Sequence, residues 1–235
     1  MTATDITAFE IVELRIGRPA PLGPAGALSA IDKHKVSGPI HAGRLGLDGD
    51  EQGDPKHHGG VHKALHAYTL AHMPAWVAEL PHRADRFHPG AFGENLVVSG
   101  ATESDMCLGD RWRIGEALAE VSQARQPCWK LNLRFDVPDM ARRVQESGRS
   151  GWYFRVIEPG AITAGDSAAL VERPHPEWPL GRVSHLLYHD RMNRPALEEL
   201  AVLPGLPESW LRLVEARLAS GQTESWKRRL ETPQA

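Results

Sequence analysis

Between Ser29 and Gly60 the chain runs SAIDKHKVSGPIHAGRLGLDGDEQGDPKHHGG, with seven glycines and two prolines among mostly polar residues. No helix of ordinary length fits between breakers so closely spaced, so the stretch reads as turns and loop with short strands. A loop this long in a compact domain usually carries function. The same punctuation governs what surrounds it. Ala8 to Gly17 has the β-branched and apolar density of a first strand, and Pro19 to Ala27 reads as a loop.

Further on, KALHAYTL reads as a strand and Met73 to Leu80 as a short helix with Pro74 in its permissive first turn. Pro81 to Gly90 is loop, and Phe92 to Gly100 is another strand. Asp110–Ile114 and Ala117–Ser122 form a hairpin across Gly115 and Glu116, leading into SQARQPCWKL. Asp136 to Gln145 is expected to be a helix, with Asp136 as N-cap, Pro138 in the first turn and Gly148 closing it. From Trp152 to Arg173 strands return around the turn PGAITAGD. Many short strands with scattered helices predict a mostly β chain built on a barrel, not a βαβ sheet.

The composition shifts at RPHPEWP, Arg173 to Pro179, which reads as a linker. After it RVSHLLYH, PALEELAV and ESWLRLVEARLAS space apolar residues three and four apart, the pattern of three short helices. The expected organisation is a barrel domain over residues 1–173 and a small all-α three-helix domain over 180–220. Trp210, Leu211, Leu213 and Val214 belong to the core of that second unit.

Charge and cysteine usage narrow the function class. The formal charge of −3, from 27 basic and 30 acidic residues, gives no reason to expect nucleic acid. No apolar run approaches the roughly 20 residues of a membrane span, and MTATDITAFEIVEL has no signal-peptide pattern. Two cysteines do not build a disulfide framework, so a reducing cytoplasm is the expected compartment.

The two cysteines differ in setting. Cys107 lies in a turn, DMCLGD, whereas Cys128 follows Pro127 with Arg125 and Lys130 close by and Trp129 at its side. Nearby cations favour the thiolate, the form that attacks or binds soft metals, and the proline offers it from a stiff loop. A small buried hydrophobe is the alternative reading. His57, His58, His62 and His66 cluster just after Asp54, and histidines four apart on a helix can hold zinc. In HKALH, however, Lys63 stands where a zinc hydrolase places its glutamate, and HHGG also reads as a loop that lets a ligand approach its backbone. Lys33, Lys35, Lys56 and Lys63, with Ser37 and Gly38, suit a phosphate or other oxyanion. No P-loop, GxGxxG, GxSxG or complete EF-hand spacing occurs.

Taken in order, DKHKVSGPI, GLDGDEQGDPKHHGGVHKALHAY, FGENLVVSG, GDRW and QARQPCWKL resemble a MOSC domain, the family of the molybdenum-cofactor sulfurase C-terminal domain. The likeness is to its bacterial YiiM-like branch and covers about Ile31 to Val171, while Leu180 to Leu218 is similar to that branch's three-helix domain. The resemblance implies a mostly antiparallel barrel with peripheral helices. It also implies that Cys128 is the protein ligand of molybdenum held by a pyranopterin dithiolene, a soft site suited to a further thiolate. Candidates around that cofactor, placed by motif, are Lys33, Ser37, Gly38, His58, Gly59, Lys63 and Arg125, with Asn95 and Gln126 as hydrogen-bonding partners.

The implied activity is reduction of N-hydroxylated compounds (hydroxylaminopurines, hydroxylamines or amidoximes) to amines. No flavin, nicotinamide or iron–sulfur fingerprint is present, so electrons are expected from a separate flavin or iron–sulfur protein. His57, His58 and Asp54 are the guesses for proton transfer. A non-catalytic carrier holding the cofactor or a persulfide at Cys128 is the alternative, and a zinc hydrolase using His57 to His66 a lesser one. A monomer or homodimer without nucleic-acid or membrane partners is expected. His66 occupies a strand position where an apolar residue is expected.

Overall fold

In the computed structural model, residues 6–233 are described, without the side chains of Lys56 and His57. The strands are β1 (Ala8–Ile16), β2 (Ala20–Leu22), β3 (Ala27–Ser29), β4 (His34–Val36), β5 (Ile40–Gly43), β6 (Gly46–Leu47) and β7 (Leu65–Thr69). They continue as β8 (Leu96–Ser99), β9 (Arg111–Ile114), β10 (Ala117–Ala124), β11 (Trp152–Glu158), β12 (Gly160–Ile162) and β13 (Ser167–Glu172). Seven of them close a barrel in the order β13-β9-β10-β11-β7-β8-β1, because β1 pairs with β13 as well as with β8. The mostly β barrel fold inferred from the sequence is the fold observed.

β1 changes its inward parity midway. In β1, Phe9 and Ile11 are buried, and then the inward position skips to Leu14. A register shift against β8 between Ile11 and Glu13 accounts for the change of parity, and such bulges bend a strand around a barrel. Beyond the bend β1 also pairs with β4, Leu14 opposite Val36, which draws the start of the glycine-rich loop onto the barrel. Inside, Trp112, Ile114, Val121, Trp152 and Phe154 pack with Phe9, whose ring meets Trp112 edge-on at 4.9 Å.

β7 and β8 are parallel, so the chain needs a long crossover between them. That crossover holds α2 (Met73–Glu79), with Pro74 in its first turn, and a 3-10 stretch Pro81–Arg86. Together with α3 (Lys130–Phe135) and α4 (Met140–Ser147) it buries a second apolar cluster around Tyr68, Trp76, Phe92 and Phe135. Here the sequence expectation needs correcting. Asp136 is not an N-cap: with φ 53 it is the left-handed residue that ends α3, and α4 begins at Met140. Aspartate tolerates that conformation because its short polar side chain can bond locally. The closing role of Gly148, φ 73, is as expected.

α1 (Pro55–His58) sits within the glycine-rich loop, which otherwise supplies β4, β5 and β6. The C-terminal helices are α5 (Leu180–Tyr188), α6 (Arg194–Ala201), α7 (Glu208–Ser220) and a short α8 (Lys227–Leu230). The stretch Arg173–Pro179 is tied to the barrel: Trp178 is buried, its carbonyl accepts from Leu108 N–H at 3.0 Å, and Leu180 N–H donates to Met106. Leu180, Val183, Leu187, Leu197, Trp210 and Val214 continue the barrel's own apolar cluster, so the helices share its core. Among the described residues no helix is long and apolar enough to cross a membrane.

Candidate functional site

β10 delivers the site. It ends at Ala124, and Arg125, whose N–H donates to Gly151 carbonyl at 3.0 Å, starts the turn through Pro127 and Cys128 into α3. Cys128 is half-buried and Cys107 fully buried, and both are free thiols. Cys128 lies on the wall of a cleft enclosing about 590 Å³ of empty space, part of it open to solvent. Beside the Cys128 loop and Tyr153, the walls come from Ser29–Ile31 and Lys33, from Asp50–Gly53, from His58, Lys63 and His66, and from Phe92, Gly93 and Asn95.

Of the residues expected from the sequence, Lys33, His58, Lys63, Asn95, Arg125 and Cys128 all line this cleft. Ser37 and Gly38 lie outside the lining, exposed beyond β4. Gly59 is also outside it, with its N–H donating to Pro55 carbonyl at 3.1 Å. Gln126 is also outside the lining, its side chain interacting with the Tyr188 hydroxyl of α5. Of the proton-transfer guesses, His58 is in the lining, Asp54 is not, and the side chain of His57 lies outside the described residues.

The helical face required for zinc does not form. His62 belongs to a 3-10 turn, Val61–Lys63, and His66 to β7, so HKALH spans a change of structure. Among the described residues no group of three or more His, Cys, Asp or Glu is placed to hold a metal. His66 is instead a buried part of the cleft wall, tilted against Tyr153 with centroids 5.1 Å apart.

Electrostatics give the cleft its character. Lys33, Lys63, Arg125 and Lys130 line it against the two carboxylates Asp50 and Glu51. Burial lowers the pKa of His58 to about 4, helped by Lys130, Arg125 and Lys63, so its imidazole is neutral at pH 7. Burial, with Arg125 nearby, likewise holds His66 well below the usual histidine range. The Lys63 pKa is lowered by burial, against the opposing pull of Cys128 and Asp54. Arg125 is buried, and its Nη1 has no hydrogen-bond partner in the protein. A buried guanidinium nitrogen without a partner is costly unless a ligand supplies the acceptor.

The sequence reading missed Asp50. Its carboxylate accepts from Lys33 Nζ and Gly17 N–H on one oxygen and from Asn95 Nδ2, at 2.9 Å, on the other. Asn95 in turn accepts from His66 N–H at 3.2 Å, so the amide expected to contact a ligand also ties β7 to the glycine-rich loop. An acidic residue within a lysine-bearing, glycine-rich loop was the available signal.

The donor set fits a molybdenum pyranopterin: one thiol on the wall, Lys63, Arg125 and Lys130 for a phosphate and dithiolene charge, and an unpaired Arg125 Nη1. Known proteins share this sequence and fold. A MOSC domain model matches residues 54–169, and a YiiM-like 3-alpha helix domain model matches residues 178–221. Protein YiiM of Escherichia coli (strain K12) is 41% identical over 207 residues, covering 88% of this chain and 92% of that one. A protein named "Reductase" from Gibberella moniliformis is 36% identical over 212 residues, which is 89% of this chain but 37% of that one. The crystal structure of YiiM from Escherichia coli superposes with a TM-score of 0.78 at 35% identity, covering 92% of this chain and 100% of that one.

Proposed function

Because this chain belongs to the MOSC-domain family, in the branch with a YiiM-like three-helix domain, we propose that it is a molybdenum-cofactor-dependent reductase of N-hydroxylated compounds. The observation that carries the reading is the cleft itself: a thiol, Cys128, on a wall whose cations include a buried guanidinium with an unpaired nitrogen. The fungal relative's name supports reduction as the reaction class.

When bound, the cofactor supplies a two-electron redox centre. Cys128 would supply a thiolate ligand to the metal, and Lys63, Arg125 and Lys130, with Lys33 behind its Asp50 partner, would hold the anionic remainder. The conversion R–NH–OH + 2e⁻ + 2H⁺ → R–NH₂ + H₂O needs two protons near the leaving hydroxyl. His58, neutral and in the lining, can present its imidazole N–H to the leaving hydroxyl as a hydrogen-bond donor. The electrons come from a separate flavin or iron–sulfur protein.

The test uses protein from a cofactor-producing host, with reduced methyl viologen as electron source and 6-N-hydroxylaminopurine as substrate. Formation of adenine by the native chain and its loss in Cys128→Ala is the expected result. Viologen oxidation without amine from any hydroxylamine, amidoxime or hydroxylaminopurine overturns the reading. Cofactor bound without turnover would favour the carrier.

A further inference from the structure

Beyond α7 the chain returns to the loop that presents Cys128. After the turn at Gly221, Glu224 is held by Arg217, a guanidinium only 1% exposed: Nε donates to Oε2 at 2.9 Å and Nη2 to Oε1 at 2.6 Å. Arg191 donates to the Glu224 carbonyl at 2.6 Å. From that anchor the chain crosses α3. Trp129 N–H donates to the Arg229 carbonyl at 2.7 Å, and Asn132 Nδ2 to the Leu230 carbonyl at 2.9 Å.

The Arg229 guanidinium then donates to the Pro127 carbonyl and to Gln145 Oε1 on α4. Cys128 is therefore bracketed: the residue before it and the residue after it both bond to Arg229. Trp226 lies 4.4 Å from that guanidinium and Tyr188, which bonds Gln126, 5.7 Å from it. Leu230 is buried in the second apolar cluster, which fixes the segment's end. The three-helix family model stops at residue 221, before any of these contacts begin.

We propose that residues 224–232 are a strap fixing the backbone on both sides of Cys128, and that Arg229 is its positioning residue. The role of the three-helix unit is then to anchor the strap, through Arg217 and Tyr188, and so to hold the thiol in register. This function of the strap rests on the reading of Cys128 as the metal ligand. The ordering of the loop does not. Residues that support a metal ligand change metal affinity by about 10- to 100-fold when removed.

The test compares the full-length chain with Arg229→Gln, Arg229→Lys and, as an exposed neighbour, Arg228→Gln. In metal-free protein, amide hydrogen exchange across residues 126–132 is expected to quicken about tenfold in Arg229→Gln, with β10 and β11 unchanged. Arg229→Lys, whose ammonium still reaches a carbonyl, recovers part of the protection, and Arg228→Gln behaves as wild type. Gln145→Ala removes one acceptor only and carries the same prediction at reduced size should Arg229→Gln fold poorly. In cofactor-loaded protein, Arg229→Gln is expected to lose molybdenum on dialysis about 10- to 100-fold more readily. Unchanged exchange in both Arg229→Gln and Gln145→Ala overturns the strap. Molybdenum retained in Arg229→Gln but lost in Cys128→Ala overturns its role at the site, while molybdenum retained in Cys128→Ala overturns the ligand reading alone.

Discussion

Lys33 and Asp50 form an ion pair within the cleft wall, their side chains 7% and 2% exposed, and the pair closes the glycine-rich loop onto β1 and β8. Burial lowers the Lys33 pKa while the Asp50 carboxylate opposes the shift. Asp50→Ala is expected to cost about 3–5 kcal/mol in urea unfolding, the range for stranding one member of a buried pair. Lys33→Met with Asp50→Asn should cost less than either change alone. A loss below about 1 kcal/mol, the median for exposed pairs, would contradict the buried role.

His58 makes stability depend on pH in a defined direction. Its folded-state pKa of about 4 lies below the ordinary value of 6.5, so the unfolded chain binds the proton more readily. The contribution is full above about pH 6.5 and is lost as pH falls towards 4. His58→Gln should therefore shrink the fall in Tm between pH 7 and pH 4.5. A histidine resonance from this residue titrating near 6.5 would count against the buried environment.

The two thiols should separate cleanly by reactivity. Burial and the neighbouring Asp110 push the Cys107 thiol up to about 12, and its Sγ points to the Pro176 carbonyl at 3.7 Å. At pH 7.5 iodoacetamide is expected to modify Cys128 and leave Cys107 untouched until the protein unfolds, as read by peptide mass spectrometry. Equal labelling of both in folded protein would be inconsistent with the burial of Cys107 against Pro176 and Pro179.

Arg217 makes five bonds from inside the core, to Glu224, Leu186, Leu187 and Arg191. Arg217→Ala strands the Glu224 carboxylate and leaves helix-end carbonyls without donors, with an expected cost of about 3–5 kcal/mol. Chemical denaturation measures it directly, and a change under 1 kcal/mol would show that α5 and α7 do not depend on this residue.

What the sequence discloses divides by sequence distance. Glycine and proline spacing marks the short strands, and the hairpin across Gly115 follows from local turn chemistry. Cys128 stands out because its proline and cations are neighbours in the chain. Asp50 does not, because it meets Lys33 from 17 residues away and Asn95 from 45, contacts that exist only after the barrel closes. The strap is further still: Arg229 meets Pro127 across 102 residues, and its local sequence, WKRRL, looks like an exposed basic end. Asp136 misleads for the opposite reason, since the residue type that caps a helix N-terminus also tolerates the left-handed turn that ends one.

Molybdenum content is the most direct test of the account, measured by elemental analysis on native chain and Cys128→Ala from a cofactor-producing host, alongside oxidised-pterin fluorescence. Near-stoichiometric molybdenum and pterin in the native chain, with molybdenum lost in the variant, is the predicted result. Pterin with equal molybdenum in both proteins would contradict the assignment of Cys128 as the ligand on which the proposed chemistry rests.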